Sequence, residues 1–118
     1  MSAAALQAFL ERHRAQAALT LQLDEELGTR HGMDWADFLL LDCIDTAGGT
    51  LPMGLLARRC GRRPSQLLRQ VLPLEKLGWI ARTTGSDGAR AVALRASARR
   101  LLNEARETAA VVCEGAAS

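Results

Sequence analysis

The hydrophobic period of the chain changes at Gly78, and this change limits the folds open to it. Before it, RRPSQLLRQVLPLEKLG spaces apolar residues three and four apart, the period of a helix lying on a core. After it, WIARTT and ARAVALR flank GSDG, whose Gly, Ser and Asp suit a tight turn, so residues 79–95 read as a β-hairpin. Upstream, Pro52 opens a short helix, MGLLARRC, that Gly61 ends, and Pro64 opens the next helix in the same way, at a first turn where a missing amide costs nothing. Pro73 is different, because inside a helix a proline removes a donor at a cost of about 3 kcal/mol or more. The lost amide would have bonded the Arg69 carbonyl, and both residues face outward. The proline therefore reads as a boundary between a projecting part, residues 65–70, and a packing part, LEKLGWI.

The flanks are helical as well. Residues 4–28 place Leu6, Phe9, Leu10, His13, Ala17, Leu21 and Leu27 along one side, with Gly28 as a natural stop. Such a helix spans about 37 Å at 1.5 Å per residue, more than a small globule covers, so either a second copy buries it or it folds back over its own domain. Asp34 offers an N-cap, with Asp37 three residues on, to a helix with Phe38, Leu39, Leu41 and Ile44 before the Gly48–Gly49 break. Ser97 is placed to cap a closing helix ending near residue 114, with Ala98, Leu101, Leu102, Ala105, Ala109 and Val112 on one side. A short helix, a glycine turn, a second helix and a charged hairpin are the order of a winged helix-turn-helix. The expected architecture is mainly α with a small β-hairpin wing.

With 118 residues, 48% of them apolar and 24% charged, one compact domain is expected. No uninterrupted apolar run reaches the length of a membrane span, and the start MSAAALQAFLERHRAQ carries charge too early for a signal peptide, so a cytoplasmic protein is expected. Cys43, Cys60 and Cys113 are odd in number and lack a CxxC spacing, which argues for reduced thiols rather than disulfides or a zinc site. Cys60 falls where the pattern wants a core residue, and Cys43 could act as a redox switch only if exposed and acidified.

The net charge of +2 hides an asymmetry. Residues 1–57 carry three arginines against eight acids, net −5, whereas residues 58–106 carry eleven arginines and Lys76 against three acids, net +9. An arginine-rich excess over one segment is the footprint of a polyanion partner, the other reading being a solvated basic face. On the second helix Leu67, Val71, Leu74 and Leu77 fall on the buried side, and Ser65, Gln66, Arg69, Gln70 and Pro73 fall outside. The outward set holds residue types that reach guanine, adenine and phosphate.

Residues 33–102 resemble the MarR family of bacterial transcriptional regulators. LLARRCGRRPSQLLRQVLPLEKLGWIAR is similar to the family's helix-turn-helix with its "LE..G.I", and TTGSDGARAVAL to its D-x-R wing. Two departures stand out: Leu68 replaces a position often polar in the family, and Asp87 lies three residues before Arg90 rather than two. The resemblance implies a homodimer on double-stranded DNA, with residues 1–30 and 97–118 as dimerisation helices and 33–95 as the reading head of a single domain, 1–118. It implies a regulator, and we expect a repressor, on a pseudo-palindromic promoter site, released by a small-molecule effector if one exists. Ser65, Gln66, Arg69 and Gln70 would meet the major groove and Arg90 the minor groove or phosphate, while Arg62, Arg63, Arg82 and Arg95 supply non-specific charge.

Other residues carry weaker signals. Trp35 and His31 are candidates for lining an effector pocket, although Trp35 and Trp79 are most simply core residues and His13 and His31 lack ligand spacing for a metal. No cofactor motif, nucleophile triad or paired-carboxylate arrangement is visible, so an enzyme is not expected. The leucine-rich second helix leaves a different class open, a winged-helix adaptor or antirepressor that binds protein rather than DNA.

Overall fold

A computed structural model describes residues 2–117. In chain order its elements are α1 (Ala3–His31), α2 (Trp35–Thr46), β1 (Thr50–Pro52), α3 (Met53–Arg59), α4 (Pro64–Lys76), β2 (Ile80–Thr84), β3 (Arg90–Leu94) and α5 (Ala96–Ala117). Packing divides them into two units, residues 2–35 with 105–117, and residues 36–104. Residues 96–104 of α5 pack in the second unit, where Ala98 and Leu102 are fully buried.

In the first unit α1 begins on Ser2, whose Oγ accepts the Ala5 amide at 3.2 Å. Gly28 does not stop the helix, as the sequence suggests. The chain continues to His31 and ends on Gly32, whose φ of 68° lets its amide reach the Gly28 carbonyl at 3.2 Å. A glycine in a helix costs about 1 kcal/mol against alanine. Leu27, fully buried beside it, contributes about 1.5–3 kcal/mol by its burial and outweighs that cost. Along the rest of α1 burial is sparse: Leu23 is the other buried residue, and Leu6, Phe9 and Leu21 are all more than half exposed. A helix of 29 residues is about 43 Å long. The buried stripe of α5 in this unit is Ala105, Ala109 and Val112. α5 continues to Ala117, past the expected end near 114.

The second unit has a core of Phe38, Leu40, Leu41, Ile44, Leu51, Leu56, Leu67, Val71, Leu74, Ile80, Val92 and Leu94. Leu39, expected with the apolar residues of α2, is exposed, and Leu40 is buried in its place. α2, α3 and α4 end alike. The amide after each terminal glycine reaches back five residues and the glycine amide three, as in Arg62 to Ala57 (2.9 Å) and Gly61 to Arg58 (3.1 Å). Gly61, at φ 65°, makes the turn between α3 and α4 this tight.

The hairpin forms as expected. Ile80 faces Leu94, Arg82 faces Val92 and Thr84 faces Arg90, and the Gly85 amide donates to the Ala89 carbonyl at 2.8 Å. The sheet has a third strand that the sequence pattern did not suggest: β1 pairs antiparallel with β3, Leu51 opposite Val92, giving the order β1-β3-β2. Pro52, which cannot donate, is tolerated because β1 is an edge strand. α5 starts at Ala96, one residue before Ser97, so Ser97 is not its N-cap. Its hydroxyl donates instead to the Gly78 carbonyl, at 3.4 Å.

Candidate nucleic-acid interface

The second unit holds the helix-turn-helix and the wing, and the first turn of α4 is built by its own sequence. Pro64 occupies the first helical position, where it has no amide to leave unpaired, and the Arg63 amide donates to Gln66 Oε1 at 3.0 Å. Gln66 is therefore exposed but engaged, since one of its two amide functions already serves the helix start. Ser65 and Arg69 are exposed on the same helix, as expected. Gln70 is not. Both polar atoms of its amide are buried and have no hydrogen-bond partner among the described residues, which corrects its placement on the outward face. It lies three residues after Leu67 and four before Leu74, on the flank of the buried stripe. Leu77, expected inside, is 59% exposed, because the chain leaves the helix there.

The arginines separate into two groups. Arg82 is held by Glu75: its Nε donates to Oε1 and Oε2 at 3.2 and 3.1 Å, and its Nη2 to Oε1 at 3.0 Å. These hydrogen bonds hold the Glu75 carboxyl below the ordinary carboxylate range and raise Arg82 further. Arg82 is thus not the free surface charge that the sequence suggested. Arg99, similarly, donates to Asp45 Oδ1 at 3.2 Å. Arg63, Arg69, Arg90 and Arg95 are exposed and enter no ion pair among the described residues. Arg62 is half-buried, its amide bonded to the Ala57 carbonyl in the turn.

A cleft of about 270 Å³ joins several of these elements. It is lined by Met53 at the start of α3, Leu68 and Glu75 of α4, and Arg82, Thr83, Thr84, Arg90 and Ala91 of the hairpin. The structure therefore brings Arg82 and Arg90 together beside α4, while Ser65, Gln66 and Arg69 do not line this cleft. Glu75, the partner of Arg82, is a residue that the sequence reading did not single out. It lies on α4 and Arg82 on β2, with the Gly78 turn between them, so no single helical or strand period could have paired them.

In the first unit a cleft of about 440 Å³ is lined by Gln22, Glu26, Arg30, Glu107, Thr108, Val111, Val112 and Gly115. Neither Trp35 nor His31 lines it. His31 Nε2 lies 2.6 Å from Thr108 Oγ1, a hydrogen bond at the edge of the cleft, and Trp35 is half-buried with its amide bonded to Asp24. Cys43 and Cys60 of the second unit are both half-buried. Burial first, and the neighbouring Cys43 second, push the Cys60 thiol up, and Arg62 opposes them. Among the described residues no group of three or more His, Cys, Asp or Glu could hold a metal, and no helix is long and apolar enough to cross a membrane.

No family model and no curated protein sequence matches the chain. Solved structures do. The transcriptional regulator BldR from Sulfolobus solfataricus superposes with a TM-score of 0.87 at 21% identity, covering 98% of this chain and 84% of that one. Sco3205, a MarR family transcriptional regulator from Streptomyces coelicolor solved in complex with DNA, gives 0.86 at 22% identity, over 98% and 74%. The organohalide-sensing regulator RdhR-CbdbA1625, in its 2,4-dichlorophenol-bound form, gives 0.82 at 20% identity, over 98% and 69%. The chain has the winged-helix fold of MarR family transcriptional regulators.

Proposed function

We propose that this protein is a DNA-binding transcriptional regulator that acts as a homodimer. The observation that carries the reading is the set of exposed arginines Arg63, Arg69, Arg90 and Arg95, in no ion pair among the described residues, on the helix-turn-helix and wing of a MarR-like fold. Arg69 and Ser65 meet the major groove, with Gln66 contributing through whichever amide function the helix start leaves free. Arg90 enters the minor groove or pairs with phosphate, and Arg62, Arg63 and Arg95 add sequence-independent charge. Dimerisation through the first and last helices is supported by the exposed Leu6, Phe9 and Leu21 on a helix that buries little else. Two reading heads related by a two-fold axis suit a pseudo-palindromic site, and occupancy of a promoter makes the protein a repressor. The likeness to a ligand-bound regulator supports release by a small-molecule effector, for which the Thr108 cleft is the better candidate than Trp35 or His31.

A mobility-shift titration on fragments selected from the source genome, at two salt concentrations, tests the reading. Arg69→Ala should cost about 1–3 kcal/mol on the selected site, and Arg90→Ala should lower the salt slope by about one phosphate. Wild-type affinity in both variants, or binding insensitive to salt, would overturn the assignments. Leu68 and Leu72, both exposed on α4, favour a second reading, a winged-helix adaptor that binds a protein partner; it expects no specific shift at either salt.

A further inference from the structure

The faces of the hairpin follow from its register. Ile80, Arg82 and Thr84 share one face of β2, and they stand opposite Leu94, Val92 and Arg90 of β3. At the base of that face Ile80, Val92 and Leu94 are buried. Arg82 comes next, bonded to Glu75 in the last full turn of α4, and its own amide also points to Glu75 Oε2, at 3.4 Å. Beyond it residues 83–90 are exposed without exception. The Glu75–Arg82 pair thus ties α4 to the wing at the edge of its buried base, and Arg90 lies two residue pairs further out on the same face.

We propose that Glu75 and Arg82 are positioning residues, a clamp that sets the direction of the wing relative to α4 and so holds Arg90 where it meets the nucleic acid. The proposal rests on the DNA-binding reading and deepens it. An untethered hairpin tip samples more directions, and binding would then have to order it at the expense of affinity. Arg82, on this view, serves the interface through Glu75 and not as a phosphate contact.

Simple electrostatics makes the opposite forecast for Glu75, which is what allows a decisive test. An exposed carboxylate on a basic face repels phosphate, so its removal should tighten binding. The clamp requires its removal to weaken binding. The full-length protein is titrated with the duplex that the wild type selects, as the variants Glu75→Gln, Arg82→Ala, their double variant, and the charge exchange Glu75→Arg with Arg82→Glu. We expect each single change to weaken binding about two- to fivefold, the range an exposed ion pair commands. The double variant should be no weaker than either single one, and the charge exchange should recover most of the loss. In Glu75→Gln, amide exchange at residues 82–84 and 90 should quicken, with Leu67 to Leu74 of α4 unchanged; this readout needs no DNA. Tighter or equal binding by Glu75→Gln, or unchanged exchange in the wing, overturns the clamp and leaves the DNA-binding reading standing. Absence of any shift by the wild type sinks that reading and the clamp with it.

Discussion

The backbone amide of Trp35 donates to the carboxylate of Asp24, so a residue within α1 satisfies an orphan donor in the first turn of α2. Asp34 stands immediately before α2 as the sequence suggests, but Asp24, eleven residues away, supplies this bond. Removing it leaves the Trp35 amide, in a half-buried residue, without its partner. Asp24→Ala should cost about 0.5–2 kcal/mol, as loss of an N-terminal cap does, and Asp24→Asn, which keeps an acceptor oxygen, clearly less. Urea unfolding of the three proteins measures it, and equal midpoints for all three would deny the bond any weight.

Gln70 carries a buried amide with no hydrogen-bond partner among the described residues. Such a group forfeits about 1–3 kcal/mol of hydration without return. Gln70→Met keeps the length and shape and removes the polar atoms, so it should raise stability by up to that amount and leave DNA affinity within about twofold. A stable variant that no longer binds DNA would mean that Gln70 turns outward on binding.

These two residues mark where the sequence was readable and where it was not. The change of period at Gly78 set the hairpin, and Gly48, Gly61 and Gly78 end their helices where local chemistry predicts, because a left-handed residue at a helix end is a purely local demand. Gly28 misleads because its cost is local and the compensation is not: Leu27 is buried by tertiary packing. β1 escapes notice because three residues with one buried side chain, Leu51, carry no period. Gln70 looks outward because it is polar, yet its angular position lies on the flank of Leu67 and Leu74. The exposed arginines of α4 and the wing were legible as charge, whereas the Glu75–Arg82 pair was not, since it forms across the turn that breaks the periodicity.

The hydrogen bonds from Arg82 hold the Glu75 pKa below its ordinary value of 4.5. A carboxyl depressed on folding adds stability above the unfolded-state value, and that contribution is lost as the pH falls through its folded value. In an NMR titration the Glu75 carboxyl carbon should therefore turn over below pH 4.5, and in Arg82→Ala the midpoint should move up towards it. The effect on global stability is small because both side chains are solvated. An unshifted midpoint in the wild type would mean that the pair does not persist in solution.

Cys60 titrates above its ordinary value of 9.0, through burial first and the adjacent Cys43 thiol second. Alkylation proceeds through the thiolate, so its pH–rate profile should have a midpoint above 9.0, and Cys43→Ser should lower that midpoint. Peptide mapping after timed exposure to iodoacetamide separates Cys60 from Cys113, which is exposed. A Cys60 midpoint below 9.0 would reverse the expected inertness and make the thiol a candidate for redox chemistry.

Pro73 lies within α4 and is exposed, and the helix runs past it to Lys76, with the Leu77 amide donating to the Pro73 carbonyl at 3.1 Å. It does not end the helix. The donor it lacks would have served the Arg69 carbonyl, and Arg69 is exposed too, so water can take that acceptor, while Val71 and Leu74 pack on the other side of the helix. Pro73→Ala restores a hydrogen bond worth about 0.5–1.5 kcal/mol net and at the same time frees the unfolded chain, which costs about 0.4–1 kcal/mol. The two changes oppose each other, so chemical unfolding should register a shift smaller than about 1 kcal/mol, well under the ~3 kcal/mol of a proline set against packed neighbours. A stabilisation near the larger figure would mean that α4 is strained at this point and that solvation of the Arg69 carbonyl does not relieve it.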